Sequence, residues 1–172
     1  IQGLSCNMRF EVPFDYSVSA YRQLQFLENR EVQGVSNLES RSSRGPMAIN
    51  IETIGSTIER GSSTFVKGDN AEVRVTLRNQ VEDGTKYTGF IRAEVPEIEA
   101  SGLDFEEECQ GAQGEETITM YEGESQPIRC SISDDVFENI NGSTRGEVRV
   151  TADYTYVKDL GSKKVEVEYR GN

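Results

Sequence analysis

The chain predicts an all-β fold, an antiparallel β-sandwich preceded by a short N-terminal β-hairpin, and three observations predict it. Apolar and polar residues alternate with period two along most of its apolar stretches, the signature of half-buried strands. Gly, Asp, Asn and Ser clusters break those stretches about every eight to twelve residues. No stretch carries an apolar stripe at helical spacing over a useful length.

Residues 1–32 read as a separate piece. "FDYSV" at Phe14–Val18 is echoed by "ADYTY" at Ala152–Tyr156, an offset of 138 when Asp15-Tyr16 is set on Asp153-Tyr154. The first copy is followed by "RQLQFLENREV" and the second by "SKKVEVEY". Residues 8–32 are thus expected to be the closing hairpin of a second sandwich. They would belong to an upstream domain or serve as a donor strand to a neighbouring subunit. Leu4, Cys6, Met8, Phe10, Val12, Phe14, Tyr16 and Val18 share one parity, and Pro13 lies on the other. A proline has no N–H to give a ladder, so this strand should lie at a sheet edge on at least one side. Residues 33–46, "QGVSNLESRSSRGP", lose all periodicity and read as a linker.

Residues 47–172 carry the expected sandwich. "AINIETI" gives its first strand, and "STIERGSSTFVKGD" a strand with a loop. In "AEVRVTLRN", Ala71, Val73, Val75 and Leu77 share a face, with Glu72, Arg74, Thr76 and Arg78 on the other. "YTGFIRAEV" follows, joined to it through the hairpin signal Asp83-Gly84. "ETITMY" and "QPIRCSI" flank a turn around Gly123, and "DDVFENI" makes one helical turn before Asn141-Gly142. "GEVRVTADYTYV" is the longest alternating run; "KDLGSK" is expected to turn the chain, and "KVEVEY" to return. Tyrosines fall mostly on inward parity, which predicts core packing rather than a sugar-stacking platform.

Cys109 and Cys130 lie in two strands or strand edges with a 20-residue excursion between them, and are expected to pair in an oxidising compartment. Cys6 is the odd cysteine. Its parity points it inward, either seeking a partner outside this chain or acting as a small buried hydrophobe.

Composition excludes more than it assigns. Thirty acidic residues against eighteen basic ones give a net charge of −12, unsuited to phosphate backbones or anionic lipid. No histidine is present, so the usual general base and commonest zinc ligand are missing. Neither a dinucleotide-binding nor a phosphate-loop glycine pattern occurs. No apolar run approaches the ~20 residues of a membrane helix. Catalytic residues, cofactors and metal sites are therefore not expected. The acidic stretches 104–108 and 133–139 lack calcium-loop spacing and read as solvated loops. Asn141-Gly142-Ser143 is a glycosylation sequon, making Asn141 a candidate site in a secreted protein.

Four marks then combine: "GDNAEVRVTLRN", the acidic excursion ending at Cys109, "YEGES" before "IRCSI", and the closing "VRVTADYTY". Together they resemble the immunoglobulin-like, adhesion-type (CARDB-like) repeats of archaeal cell-surface proteins, over residues 47–170 and more weakly 8–32. The resemblance implies a secreted or surface-anchored structural role without catalysis. Partners would be adjacent domains or identical subunits. A binding module for carbohydrate or a partner protein is the alternative, and it calls for exposed aromatic rings.

Overall fold

The computed structural model describes residues 4–34, 37–80, 89–111, 117–120, 123–138 and 140–167. In chain order the strands are β1 (Leu4–Leu27), β2 (Ser40–Ser42), β3 (Met47–Ile54), β4 (Thr64–Val66) and β5 (Glu72–Asn79). Then come β6 (Gly89–Glu94), β7 (Glu97–Ser101), β8 (Thr117–Met120), β9 (Ile128–Ser131) and β10 (Ser143–Val167). The expected helical turn is a 3-10 turn at Asp134–Phe137, with Ser133 Oγ accepting from Asp135 N–H. The Asp83-Gly84 turn, Tyr87 and Tyr169 lie outside the described residues, as does part of the turn before Gly123.

Two sheets face one another. The smaller has the order β3-β5-β9 and the larger β2-β1-β10-β6-β8, with β4 beside β1 and β7 beside β10. The pairings are antiparallel except that of β1 with β4. β6 and β7 lie in succession along β10 and are interrupted at Val95-Pro96, where proline cannot donate to the ladder. The alternation expected of β5 is present: Val73, Val75 and Leu77 are fully buried, as is Met47 of β3. They pack against Val148, Val150 and Ala152 of β10 and Ile91 and Ala93 of β6.

The N-terminal reading is corrected here. Residues 4–27 are one strand of 24 residues, not a strand, a turn and a return. β1 pairs with β10 from Leu4↔Val167 to Leu27↔Ser143. It contributes Val18, Ala20, Leu24 and Phe26 to the same core as Val73, Val75 and Val150. Neither the end of a preceding sandwich nor a donated strand describes a central strand of the chain's own sheet. The division into 1–32, 33–46 and 47–172 therefore does not hold. Residues 40–42 of the expected linker pair with Ala20–Arg22, and Gln23 N–H donates to Glu39 O.

The second correction is at "KDLGSK", which lies inside β10. The register with β1 shifts between Arg9↔Ser162 and Glu11↔Asp159, so Leu160 and Gly161 together oppose Phe10. Gly161 has φ +84°, the left-handed conformation that lets a strand bulge and continue.

Because β1 fills the core, deleting residues 1–32 is expected to abolish cooperative unfolding, which heat denaturation followed by circular dichroism would read. Phe26 stacks on Phe65 at 5.8 Å and meets Phe137 edge-on at 5.5 Å. Phe26→Ala should cost about 3–5 kcal/mol in urea unfolding.

Candidate functional site

The β1–β10 pair outruns the sandwich. The small sheet closes at Gly45–Met47, where a Cβ added to Gly45 would stand 2.8 Å from the Tyr154 hydroxyl. Outward from Tyr16 on β1 and from Val157 on β10, no second sheet among the described residues lies over one face of the ribbon. Along β1, Val18 is 2% exposed but Tyr16, Phe14, Phe10 and Met8 are 42–46% exposed. Along β10, Tyr156 is 3% exposed and Leu160 58%. The stretch of β1 from Ser5 to Tyr16, twelve residues, spans about 36 Å at strand rise.

Register assigns the face, since directly opposed residues point to the same side. Cys6↔Val165, Met8↔Lys163, Val12↔Lys158, Phe14↔Tyr156 and Tyr16↔Tyr154 lie on it. The Tyr16 and Tyr154 rings stack at 5.5 Å, tying the exposed ring to the buried one. The reverse face is polar except for Pro13 and the buried Val157 opposite it. There Arg9 donates to Asp159 Oδ2 at 2.6 Å and Thr155 to Asp15 Oδ1 at 2.8 Å. Asp159 Oδ1 accepts from Gly161 N–H at 2.7 Å, so one carboxylate holds both the bulge and the cross-strand arginine. The Gly161 N–H first, and Arg9 second, hold the Asp159 carboxyl below its ordinary range.

The sequence-derived site residues fall in three places. Cys109 and Cys130 are joined, with Cα atoms 4.4 Å apart. Cys130 is fully buried, and the bond ties β9 to the acidic loop, whose Gln110 exchanges two backbone hydrogen bonds with Arg129. Cys6 is exposed, which corrects its expected burial: its parity is the core parity, but no second sheet among the described residues reaches it. Tyr16 is corrected for the same reason. Asn141 is exposed in the turn before β10, where Gly142 has φ +84°. Among the described residues, no group of three or more His, Cys, Asp or Glu could hold a metal ion. No helix there is long and apolar enough to cross a membrane, which says nothing of β-barrels.

Two features were missed by sequence reasoning. Lys158 and Leu160 belong to the ribbon face, hidden because "KDLGSK" looked like a turn. The signal was Leu160, an apolar residue in a supposed exposed loop. The other is a cleft of about 550 Å³ lined by Arg22, Arg60, Arg74, Glu52 and residues 53–56. Arg22 is pinned by Ser63 Oγ, Ile51 O and Gly61 O, all neutral acceptors, and burial lowers its pKa against the pull of Glu52. Its signal was an arginine on the apolar parity of Val18, Ala20 and Leu24.

No known protein family, curated protein or solved structure matches the chain.

The Gly161 amide proton is expected to titrate with Asp159, at a lower pH than an ordinary aspartate because that N–H and Arg9 favour the carboxylate. A carboxyl with a depressed folded pKa supports the fold above its unfolded pKa and stops doing so as pH falls through the folded value. The bulge should therefore loosen at lower pH than ordinary carboxylates protonate, and Asp159→Asn should erase the titration in an NMR series. Replacing Cys109 and Cys130 together by Ala should cost about 3 kcal/mol in urea unfolding, and reductant should then change nothing further.

Proposed function

We propose that this chain is a non-enzymatic structural module of a cell surface, acting by packing against an adjacent domain or an identical subunit. It is read as an immunoglobulin-like sandwich of the adhesion type found in archaeal surface proteins, on the sequence marks described above. One observation carries the packing role: the ribbon holds an aromatic and aliphatic stripe, continuous with the core face, that its own second sheet leaves bare. Contiguous apolar surface of this kind marks interaction sites. The Cys109–Cys130 bond supports an oxidising, extracellular setting.

A second reading, an adhesion module for carbohydrate or a partner protein, has its own support. Phe10, Phe14 and Tyr16 are the exposed aromatic rings that such a module needs, and the arginine-lined cleft would suit an acidic group. The stripe is better suited to packing. Its rings alternate with Met8 and Val12 along a strand, whereas a sugar platform needs rings gathered in one plane beside polar groups.

Cys6 reports on the choice because it sits on the stripe and is exposed. A packing module predicts that a maleimide labels Cys6 rapidly in the purified chain but slowly in the native envelope. Equal rates in both would remove the packing role. Protection of the purified chain's cleft by an added glycan, with Cys6 unaffected, would instead favour the second reading.

A further inference from the structure

The ribbon face is charged as well as apolar. Lys158 and Lys163 lie on it opposite Val12 and Met8, and no carboxylate does, from Cys6 to Tyr16 or from Lys158 to Val165. The chain as a whole has the opposite balance, −12, and its other cationic patch, Arg22, Arg60 and Arg74, lies in the cleft and carries no apolar stripe.

The acid is concentrated at the far end. β10 starts at Ser143 and reaches the ribbon tip at Val167, about 80 Å away at strand rise. Around its start sit two segments held together by Glu106 N–H to Ser131 O and Ser133 N–H to Asp104 O. They present Asp104, Glu106, Glu107, Glu108, Asp134, Asp135 and Glu138, all exposed, and neither 102–111 nor 133–138 contains a lysine or arginine. Apolar surface lies among them, because Phe105 and Val136 are only partly covered.

We infer that the ribbon face docks on the acidic end of a second copy of this chain, head to tail. This rests on the packing role above and names its partner. Charge selects the arrangement. Two ribbons laid face to face would bring four lysines together with no carboxylate among them, whereas ribbon on acidic end sets opposite charges in contact. Addition of strands edge to edge is disfavoured: Pro13 interrupts the outer edge of β1, and the bulge at Phe10 twists the ribbon. A head-to-tail contact leaves each copy one unused ribbon and one unused acidic end, so the assembly grows past a dimer or closes into a ring.

The test uses the full chain and two variants whose changes fall on exposed side chains, with folding checked by circular dichroism. The first is Phe10→Ser with Phe14→Ser; the second is Glu106→Lys, Glu107→Lys and Glu108→Lys. Sedimentation velocity should show unaltered chain forming concentration-dependent species larger than a dimer. Raising salt to ~0.5 M should weaken them about tenfold, as screening shortens the reach of surface charge. Each variant alone should stay monomeric. Their equimolar mixture should give a heterodimer and nothing larger, because one supplies the only working ribbon and the other the only working acidic end. The inference is overturned if unaltered chain is monomeric throughout, if the mixture stays monomeric, or if the glutamate variant still dimerises alone. Monomeric chain whose Cys6 is nevertheless shielded in the native envelope would remove the second copy and leave packing on a different protein.

Discussion

The structure depends on one ladder, the antiparallel pairing of β1 with β10. It joins the first strand to the last along nearly the whole length of both, and Asp15 and Thr155, 140 residues apart, hydrogen-bond across it. Such distant pairing carries a large loop-closure cost before any contact is gained. The cost is met where both strands are buried: Val18 and Ala20 lie opposite Ala152 and Val150, and Leu24, Phe26 and Val148 join them in one core. On β1 that burial ends at Tyr16, and on β10 it continues through Val157. Outward from there the ladder is held by backbone bonds and by Arg9, Asp159 and Thr155 on its polar side.

The same ladder accounts for the repeated "DY". Set in parallel, the two copies look like equivalent strands of two sandwiches. In the fold they run antiparallel and meet at their centres, with Tyr16 opposite Tyr154 and Asp15 and Ser17 opposite Thr155 and Asp153. A strand of alternating apolar and short polar residues selects a partner of the same kind, because opposed residues share a face. The resemblance is thus that of neighbours, and one chain is enough to explain it.

Where a single element decides its own neighbours, the sequence was sufficient. Val73, Val75 and Leu77 announce a buried face by spacing alone, and Cys130 on that same face announces a core cysteine within reach of the acidic loop. Legibility failed where the answer depended on something distant. Gly161 could turn the chain or bulge within a strand, since a positive φ serves both. Only β1, lying alongside, makes continuation favourable. Parity likewise predicts which way Cys6, Phe14 and Tyr16 point, and predicts it correctly. It does not reveal whether a second sheet stands opposite, and here the small sheet stops at Met47. Arg22 is the converse case: an apolar-parity position tolerates a cation because Ser63 Oγ, Ile51 O and Gly61 O ring it with acceptors from a loop no periodicity could place.

An exposed ribbon invites two kinds of association, and the chain treats them differently. Among the described strands none pairs with the outer edge of β1 on the N-terminal side of Ala20, and such an edge is the usual route to uncontrolled strand addition. Pro13 removes one donor, and Asp159 fixes a bulge at Phe10 that disturbs the flatness an added strand would need. The face has no comparable protection. Phe10 and Phe14 stand on it beside Lys158, on a molecule whose other surfaces repel copies of themselves through a charge of −12. Edges that resist pairing, beside a face that is apolar and locally cationic, restrict association to side-chain packing in one orientation. That restriction is what a building unit requires: growth through one surface, without the sheet-to-sheet fusion that would turn ordered assembly into aggregation.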